Sequence, residues 1–434
     1  MRLHVLWIVA ILATIPAAIQ AQDVRGQPGT LVIASPSQAI AAAFAHSSAL
    51  RGASAAQQAV RGDGIQAALR PNPEASLVVE NFGGAGGRGA YRGTTQVETT
   101  LGISQRVELG GKRLARIGFA GQNDGVAALD YDAARLNLAR DVMTALVEAT
   151  AAARTVDVER ERARLAAGNL RIARARVDAG KEPLLQVRRA EVVGTTTELA
   201  VERARREAET ALRSLAVAMG VPRVEMAPRQ AWFDDVGAAL APPTPADPVA
   251  RLSLNPDFVK FDAVMAQRRA DMALQQAIAV PDITLQGQVR RFQENRATAF
   301  VVGASIPLPV SDRNQGGIVR ANAELIRAEA EVERGRLTMV AALTAAERQV
   351  DNAWRAVRTL RRAALPAAEQ AARLATDGYA EGKFSLVEAL DAQRALSDTR
   401  AQLNDVLREF HVRRAEIQRL RGQEPANMTM VGAR

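Results

Sequence analysis

The chain repeats itself. Asn72-Pro73-Glu74-Ala75-Ser76-Leu77 stands over Val280-Pro281-Asp282-Ile283-Thr284-Leu285 at an offset of 208 residues, and Gly102-Ile103-Ser104 over Gly303-Ala304-Ser305 at 201. Ala179-Gly180-Lys181 matches Glu381-Gly382-Lys383 at 202. Two copies of a unit of about 200 residues fill the sequence, so any fold has to use that unit twice. Residues 22–220 form the first repeat and 248–421 the second, leaving 422–434 as a tail. Between the repeats, residues 221–247 carry Pro222, Pro228, Pro242, Pro243 and Pro245, with Pro248 just beyond; this breaks the helical pattern and marks a connector.

Each repeat reads as helix, strand pair, very long helix, tight turn and returning helix. Lys112 to Val177 contains no proline, and Leu129, Leu136 and Met143 recur every seven residues beside a seam at Ala139 and Leu146. A continuous helix there is about 90 to 100 Å long at 1.5 Å per residue. Gly317 to Thr376 matches it in the second repeat, where Pro366 alone should kink the helix. Returning helices are expected over Leu184–Met219 and Ser385–Arg421, the latter with Leu396, Leu403, Phe410 and Ile417 at heptad spacing. Hairpins this long do not fit inside one globule. Their apolar positions are largely Ala, Val and Leu, while Arg and Glu keep the other faces wet.

The strand pairs, 75–109 and 282–309, argue for more than an extended coiled coil. From Gln96 to Leu109 the odd positions include Val97, Leu101, Ile103, Val107 and Leu109, and the even ones Glu98, Thr100, Ser104, Arg106 and Glu108. Ile283, Leu285, Gly287 and Val289 alternate with polar residues in the same way, and Phe300, Val302, Ala304, Ile306 and Leu308 form a further apolar face. A soluble sandwich also alternates. Strands of this length at the ends of very long helices, however, are what a transmembrane barrel needs, with lipid outside and water within. Gly83 to Arg92 reads as a flexible loop joining the first pair. Four strands cannot close a barrel across a bilayer; three copies would supply twelve and leave no sheet edge in lipid.

The amino-terminal 21 residues support an exported destination. Arg2, the apolar run Val5 to Ile15, Pro16 and the small-residue site at Ala21 read as a secretory signal; a membrane anchor would need about 20 apolar residues. No cysteine occurs, which removes disulfides, thiolate metal sites and cysteine nucleophiles.

With these features in place, the sequence resembles the TolC family of outer-membrane efflux channels over essentially the whole mature chain. Pro71 to Gly84 (PNPEASLVVENFGG) and Leu101 to Ile117 (LGISQRVELGGKRLARI) are similar to the heavy-metal branch of that family, the cobalt-zinc-cadmium type. The resemblance implies a mainly α fold with a small β part. Duplicated helical hairpins would form a trimeric α-barrel below a twelve-stranded transmembrane β-barrel, four strands per protomer. It also implies a homotrimer in the outer membrane of a Gram-negative bacterium, in contact with outer-membrane lipid and with its helical tube in the periplasm. The partners it implies are a periplasmic membrane-fusion adaptor and an inner-membrane pump of the resistance-nodulation-division (RND) class. A multidrug or type I secretion channel, or a periplasmic coiled-coil adaptor, are the alternative readings.

The family's Tyr-x-x-Gly turn is matched by Tyr379 and Gly382, and its two acidic residues six and nine positions after that glycine by Glu388 and Asp391. The resemblance makes Tyr379, Glu388 and Asp391 the periplasmic gate, with three protomers supplying six carboxylates that attract cations. An ordinary solvated helix face accounts for such a pair as well. The first-repeat equivalents are Gln186 and Arg189, so only one hairpin per protomer would furnish the acids. Gly180, Lys181 and Leu184, with Gly382, Lys383 and Leu386, form the two tips expected to touch the adaptor; turn chemistry alone also explains the glycines.

Enzymatic readings find little support. His4, His46 and His411 are the only histidines, so a histidine-rich metal site or a duplicated histidine base is excluded. Gly84-Ala85-Gly86-Gly87-Arg88-Gly89 has the dinucleotide spacing but lies between strands with no helix opening at its end. Gly111-Lys112 lacks the earlier glycine of a phosphate loop. No catalytic residue, cofactor or resident metal is expected. The net charge of +9 is spread over helices of mixed sign, which argues against nucleic acid.

Overall fold

The computed structural model describes residues 31–83, 94–228, 230–237 and 246–424. The leader, the glycine-rich loop after Gly83 with its dinucleotide-like spacing, the proline cluster 242–245 and most of the tail lie outside the described residues. The first repeat contains β1 (Leu31–Ile33), α1 (Pro36–His46), α2 (Ser48–Ala68), β2 (Glu74–Glu80), β3 (Glu98–Val107), α3 (Lys112–Asp178) and α4 (Leu184–Met219). The connector holds β4 (Val224–Met226) and a 3-10 turn, Ala231–Asp234. The second repeat follows with α5 (Pro248–Leu252), α6 (Pro256–Ile278), β5 (Ile283–Phe292), β6 (Thr298–Ser305), α7 (Gln315–Thr359), α8 (Leu365–Glu381) and α9 (Leu386–Leu420). No helix among the described residues is long and apolar enough to cross a membrane.

Helix α3 runs unbroken for 67 residues and separates two cores. Ala139, Val142 and Leu146 pack with Ile33, Ile40, Leu215 and Met219 of the first repeat and β1. Met143 and Val147, on the adjoining face, pack with Phe233, Val350, Trp354, Leu407 and Phe410. The two neighbouring seams legible in the sequence thus serve different halves of the molecule. Buried polar groups pin the register where α3 meets α9: Asn404 Nδ2 donates to the Ala151 carbonyl at 2.9 Å, and Asn169 Nδ2 to Gln393 Oε1 at 2.8 Å. An apolar seam alone tolerates sliding, whereas these bonds are lost on a shift of register.

Pro366 is accommodated without ending the second long helix. A π-helical turn, Leu360–Ala364, lies directly upstream, and α8 begins with the proline in its first turn. The extra residue of a π turn gives room to a ring that lacks an N–H and would crowd the preceding carbonyls.

The connector does more than interrupt helices. Strand β4 pairs in parallel with β1, Leu31 against Val224. Behind it, Phe233 is fully buried against His411 and Trp232. The Phe233 carbonyl lies 2.9 Å from His411 Nε2, and burial pushes this imidazole down to about 4. Asp234 binds both Arg154 of α3 and Arg361 of the π turn, tying the connector to each repeat.

The second sheet has the order β2-β3-β5-β6, antiparallel throughout, so that the β3–β5 pairing joins the repeats. Leu101 stands opposite Val289 and Thr100 opposite Arg290. One face carries Leu77, Leu101, Ile103, Leu285, Val289, Phe300 and Val302, all exposed; Phe300 and Val302 are more than four-fifths accessible (81% and 88%). The opposite face carries Glu98, Thr100, Gln286, Gln288 and Arg290, with Arg290 bonded to Thr100 and Glu98. Gly102 belongs to this polar face, where a Cβ would meet Ser76 Oγ at 2.8 Å and Gln288 Cγ at 3.0 Å; only glycine lets these side chains lie across the strand. The ladder ends at Ser305, short of the expected boundary at 309, because Pro307 and Pro309 bring no N–H to it. Ile306 and Leu308 therefore lie beyond the strand, though still exposed.

The sheet is fastened to the long helices by the segment that follows β3. Asp282 accepts the Leu109 N–H at 3.2 Å and pairs with Lys112 at 2.6 Å. Arg116 pairs with Glu108 at 2.6 Å, and Arg113 and Arg116 donate to the Ala68 and Ala67 carbonyls at the end of α2. The cations thereby cap a helix carboxyl terminus.

Candidate functional site

At the end of the hairpins remote from the sheet, the two tips dock on each other. Both use glycine in the left-handed region, Gly180 at φ +70° and Gly382 at φ +82°, to end one helix and start the return. Gly382 has a second constraint, since a Cβ there would lie 2.8 Å from Arg176 Nη1. A small shared core forms beneath the tips from Ala173, Val187, Ala190, Tyr379, Leu386 and Ala389.

Tyr379 is fully buried and is the hinge pin of this contact. Its hydroxyl donates to Glu182 Oε2 of the first tip at 3.0 Å. Glu182 also accepts from Arg176 Nε at 3.0 Å, while Arg176 Nη1 donates to the Tyr379 carbonyl at 3.2 Å and its guanidinium lies 5.4 Å from the Tyr379 ring. Burial, reinforced by the Glu182 carboxylate, pushes the phenol up to about 12, so it is protonated and donating at any physiological pH.

The repeat relation sets this latch apart from the other tip. Arg176 and Glu182 occupy the positions of Gly378 and Phe384 in the second repeat. There the Phe384 ring rests on Gly378, leaving no space for a Cβ, which would be 2.2 Å from Cδ2. The same pair of positions holds an ion pair in one tip and an aromatic ring on glycine in the other. Arg176 and Glu182 were not singled out in the sequence, because the acid and the tyrosine it serves are 197 residues apart. The one available signal was that Glu182 has no acidic counterpart in the other tip.

The remaining residues singled out at the tips fall into three settings. Glu388 is exposed but engaged: it is the third residue of α9 and closes a capping box, accepting from the Ser385 backbone N–H at 2.7 Å and the Ser385 hydroxyl at 2.9 Å. Those bonds hold its carboxyl below the usual range. Asp391, one turn on, is exposed and has no bonding partner among the described residues. Lys181 and Leu184 are exposed at the first tip, and Lys383 is exposed beside Glu381. Leu386, expected at the docking surface, is only 1% exposed: it fills the shared core and has no face left for a partner. Among the described residues, no cluster of three or more His, Asp or Glu is arranged to hold a metal ion.

The model of the outer membrane efflux protein family matches residues 39–221 and 248–423. The chain belongs to this family. The matched segments leave residues 222–247 between them. Similar proteins include the cobalt-zinc-cadmium resistance protein CzcC of Cupriavidus metallidurans, 29% identical over 359 residues and 83% of both chains, and that organism's nickel and cobalt resistance protein CnrC, 29% identical over 296 residues and 68% of both. Among solved structures, the outer membrane protein VceC of Vibrio cholerae superimposes with a TM-score of 0.72 at 18% identity, covering 89% of this chain and 96% of that one. The fold is therefore that of the TolC-like efflux channels.

Proposed function

We propose that three copies of this chain assemble into an outer-membrane channel that conducts heavy-metal cations out of the cell. The observation that carries the assembly is the four-stranded sheet, apolar on its exposed face, polar on the other, and open at both edges, β2 and β6. Unpaired backbone groups cannot remain in hydrocarbon, and pairing β6 of each copy with β2 of the next removes every edge at twelve strands. The apolar face then meets lipid, while Thr100, Gln286, Gln288 and Arg290 line a water-filled lumen.

The long helical runs, about 100 Å over the 67 residues of α3, extend the conduit across the periplasm. The tips form its inner mouth: Tyr379, Glu182 and Arg176 hold each protomer's two hairpins together, and Glu388 and Asp391 give the mouth its acidic side. Gly180, Lys181, Leu184, Gly382 and Lys383 are the surface a periplasmic adaptor would grip, with an inner-membrane RND pump supplying the energy; Leu386 supports that surface from beneath. The chain itself is a passive conduit.

The resistance proteins named for cobalt, zinc, cadmium and nickel support a divalent-metal cargo. The experiment that tests it is growth of a deletion strain, with and without this protein restored, across graded zinc, cobalt, cadmium, nickel, copper and organic toxicants. Sensitivity confined to divalent metals is the expected result. Sensitivity to organic compounds alone would keep the channel and overturn the cargo.

A further inference from the structure

We propose that residues 306–308, which lie outside the chain's own ladder, continue the strand that joins neighbouring copies: Ala304, Ile306 and Leu308 of one copy pair with Val79, Leu77 and Ala75 of the next. This rests on the trimeric-barrel reading above and gives its seam a register.

Two bonds fix the direction of the backbone groups. The Phe292 N–H donates to the Ala297 carbonyl at 3.0 Å, and the Gln293 N–H to the Val97 carbonyl at 3.0 Å. Successive residues of an antiparallel strand turn their N–H and C=O to opposite sides, so each bond orients a whole strand. On β6, Ala299, Val301, Gly303 and Ser305 turn to β5, leaving Phe300, Val302 and Ala304 on the open edge. On β3, Thr99, Leu101 and Ile103 turn to β5. The alternate β3 residues therefore bond to Glu74, Ser76, Val78 and Glu80, and Ala75, Leu77 and Val79 hold the open edge of β2. Pro307 and Pro309 continue the series of Ser305. Their missing N–H groups would have pointed at β5, away from the open edge, so the prolines end one ladder and spare the other. Residues before proline stay extended, and the N–H groups of Ile306 and Leu308 face outward with no acceptor among the described residues.

Closing a barrel then sets the stagger. Opposite residues lead across the sheet from Leu77 through Leu101 and Val289 to Phe300. If Phe300 were level with Val79 of the next copy, the strands would tilt by only about 20°, against roughly 35 to 45° in transmembrane barrels. Raising the partner to Asn81 or to Gly83 gives about 35° or about 45°, and either places Ile306 in the seam.

The strand ends decide between these two. With Gly83 level with Phe300, the ladder stops at Leu308 and Ala75, and the next residues on both strands lack a free donor: Pro73 has no N–H, and that of Val310 is bonded to the Leu308 carbonyl at 2.9 Å. With Asn81, Leu308 would face Pro73 and receive no bond in return. The repeat relation agrees, since the offsets of 208 and 201 carry the opposed Gln288 and Gly102 onto Glu80 and Gly303. The apolar faces also match, with Ile306, Leu308, Leu77 and Val79 all exposed.

The chain contains no cysteine, so thiol pairs can be placed in the full-length protein and oxidised in outer membranes. Ser305 and Val78 fall opposite each other in this register as a non-hydrogen-bonded pair, the closer kind. Ser305→Cys with Val78→Cys should link copies into dimers and closed trimers on a non-reducing gel. Ser305→Cys with Ser76→Cys or with Glu80→Cys, whose Cα atoms would lie roughly 7 to 8 Å apart, should link at least about tenfold less. A preference for Ser76 or Glu80 would overturn the register and keep the barrel. No link at any of the three, in protein recovered as a trimer, would overturn closure by β6 and β2 along with it. Ile306→Pro should cut trimer recovery at least about fivefold, whereas Pro307→Ala should leave it within about twofold. Equal effects of these two variants would overturn the directional role of the prolines.

Discussion

Removing one oxygen, in Tyr379→Phe, isolates the tip latch. The ring stays in its core of Val187, Ala190, Leu386 and Ala389 and beneath Arg176, so packing is retained and only the bond to Glu182 goes. A hydrogen bond to a charged group contributes about 1.5 to 3 kcal/mol. The lower end applies here, because Glu182 keeps its 3.0 Å bond from Arg176 and is not left unpaired. About 1.4 kcal/mol is tenfold in an equilibrium, so each latch should open about ten times more readily. If the three tips of the proposed trimer open together, the factors multiply to roughly a thousandfold; if they open singly, the gain stays near tenfold. Glu182→Ala should exceed Tyr379→Phe, since it strands the largely buried Arg176 guanidinium, 18% exposed, as well as the phenol. Open probability in planar bilayers is the measurement. A change of less than about twofold for Tyr379→Phe would refute the latch, because even the weakest charge-assisted bond is worth more than that.

Three further outcomes follow from the geometry. Gly102→Val should reduce recovery of detergent-stable trimer, the added side chain overpacking Ser76 and Gln288 by about 1 to 3 kcal/mol; unchanged recovery would mean the polar face is roomier than the 2.8 Å approach implies. His411 stays neutral in the folded chain down to about pH 4, whereas the unfolded chain takes up a proton near 6.5. Its contribution is therefore fully present above that upper value and falls by about 3 kcal/mol as pH drops through the window, a slope that thermal melts should lose in His411→Leu. Asp234→Ala should lower stability by about 1 kcal/mol, discounted for an aspartate that is half exposed, and should loosen the connector against α3 and the π turn; melts and proteolysis near residue 234 would register it.

Much of the architecture was legible without coordinates because it depends on periodicity. A proline-free run keeps one helical register, so α3 and α4 begin and end within a residue or two of where proline, glycine and the heptads put them. Alternation likewise sorted Leu101, Ile103, Leu285 and Phe300 onto one face of the sheet. Strand ends were less legible, since alternation continues through Ile306 and Leu308 after the prolines have stopped the ladder. The tip glycines were visible for the same local reason: a left-handed turn needs them.

What only the tertiary structure decided is how distant segments share polar groups. Nothing local in Glu182 points to Tyr379, and nothing in the proline-rich connector points to the β1–β4 pair or to the Phe233 and His411 contact. Such contacts depend on two chain segments arriving at the same place, and residues of many types could make them. Leu386 and Glu388 show the other side of this limit. The family resemblance marked Glu388 as a gate acid and the tip position marked Leu386 for adaptor contact, but only the packed tips reveal that Leu386 fills a core and Glu388 caps its own helix. The sequence by itself determined a duplicated helical unit with a two-faced sheet, because both are written as repeats along the chain; the fold decided which charges remain free, because that depends on which partners come within a hydrogen bond's reach.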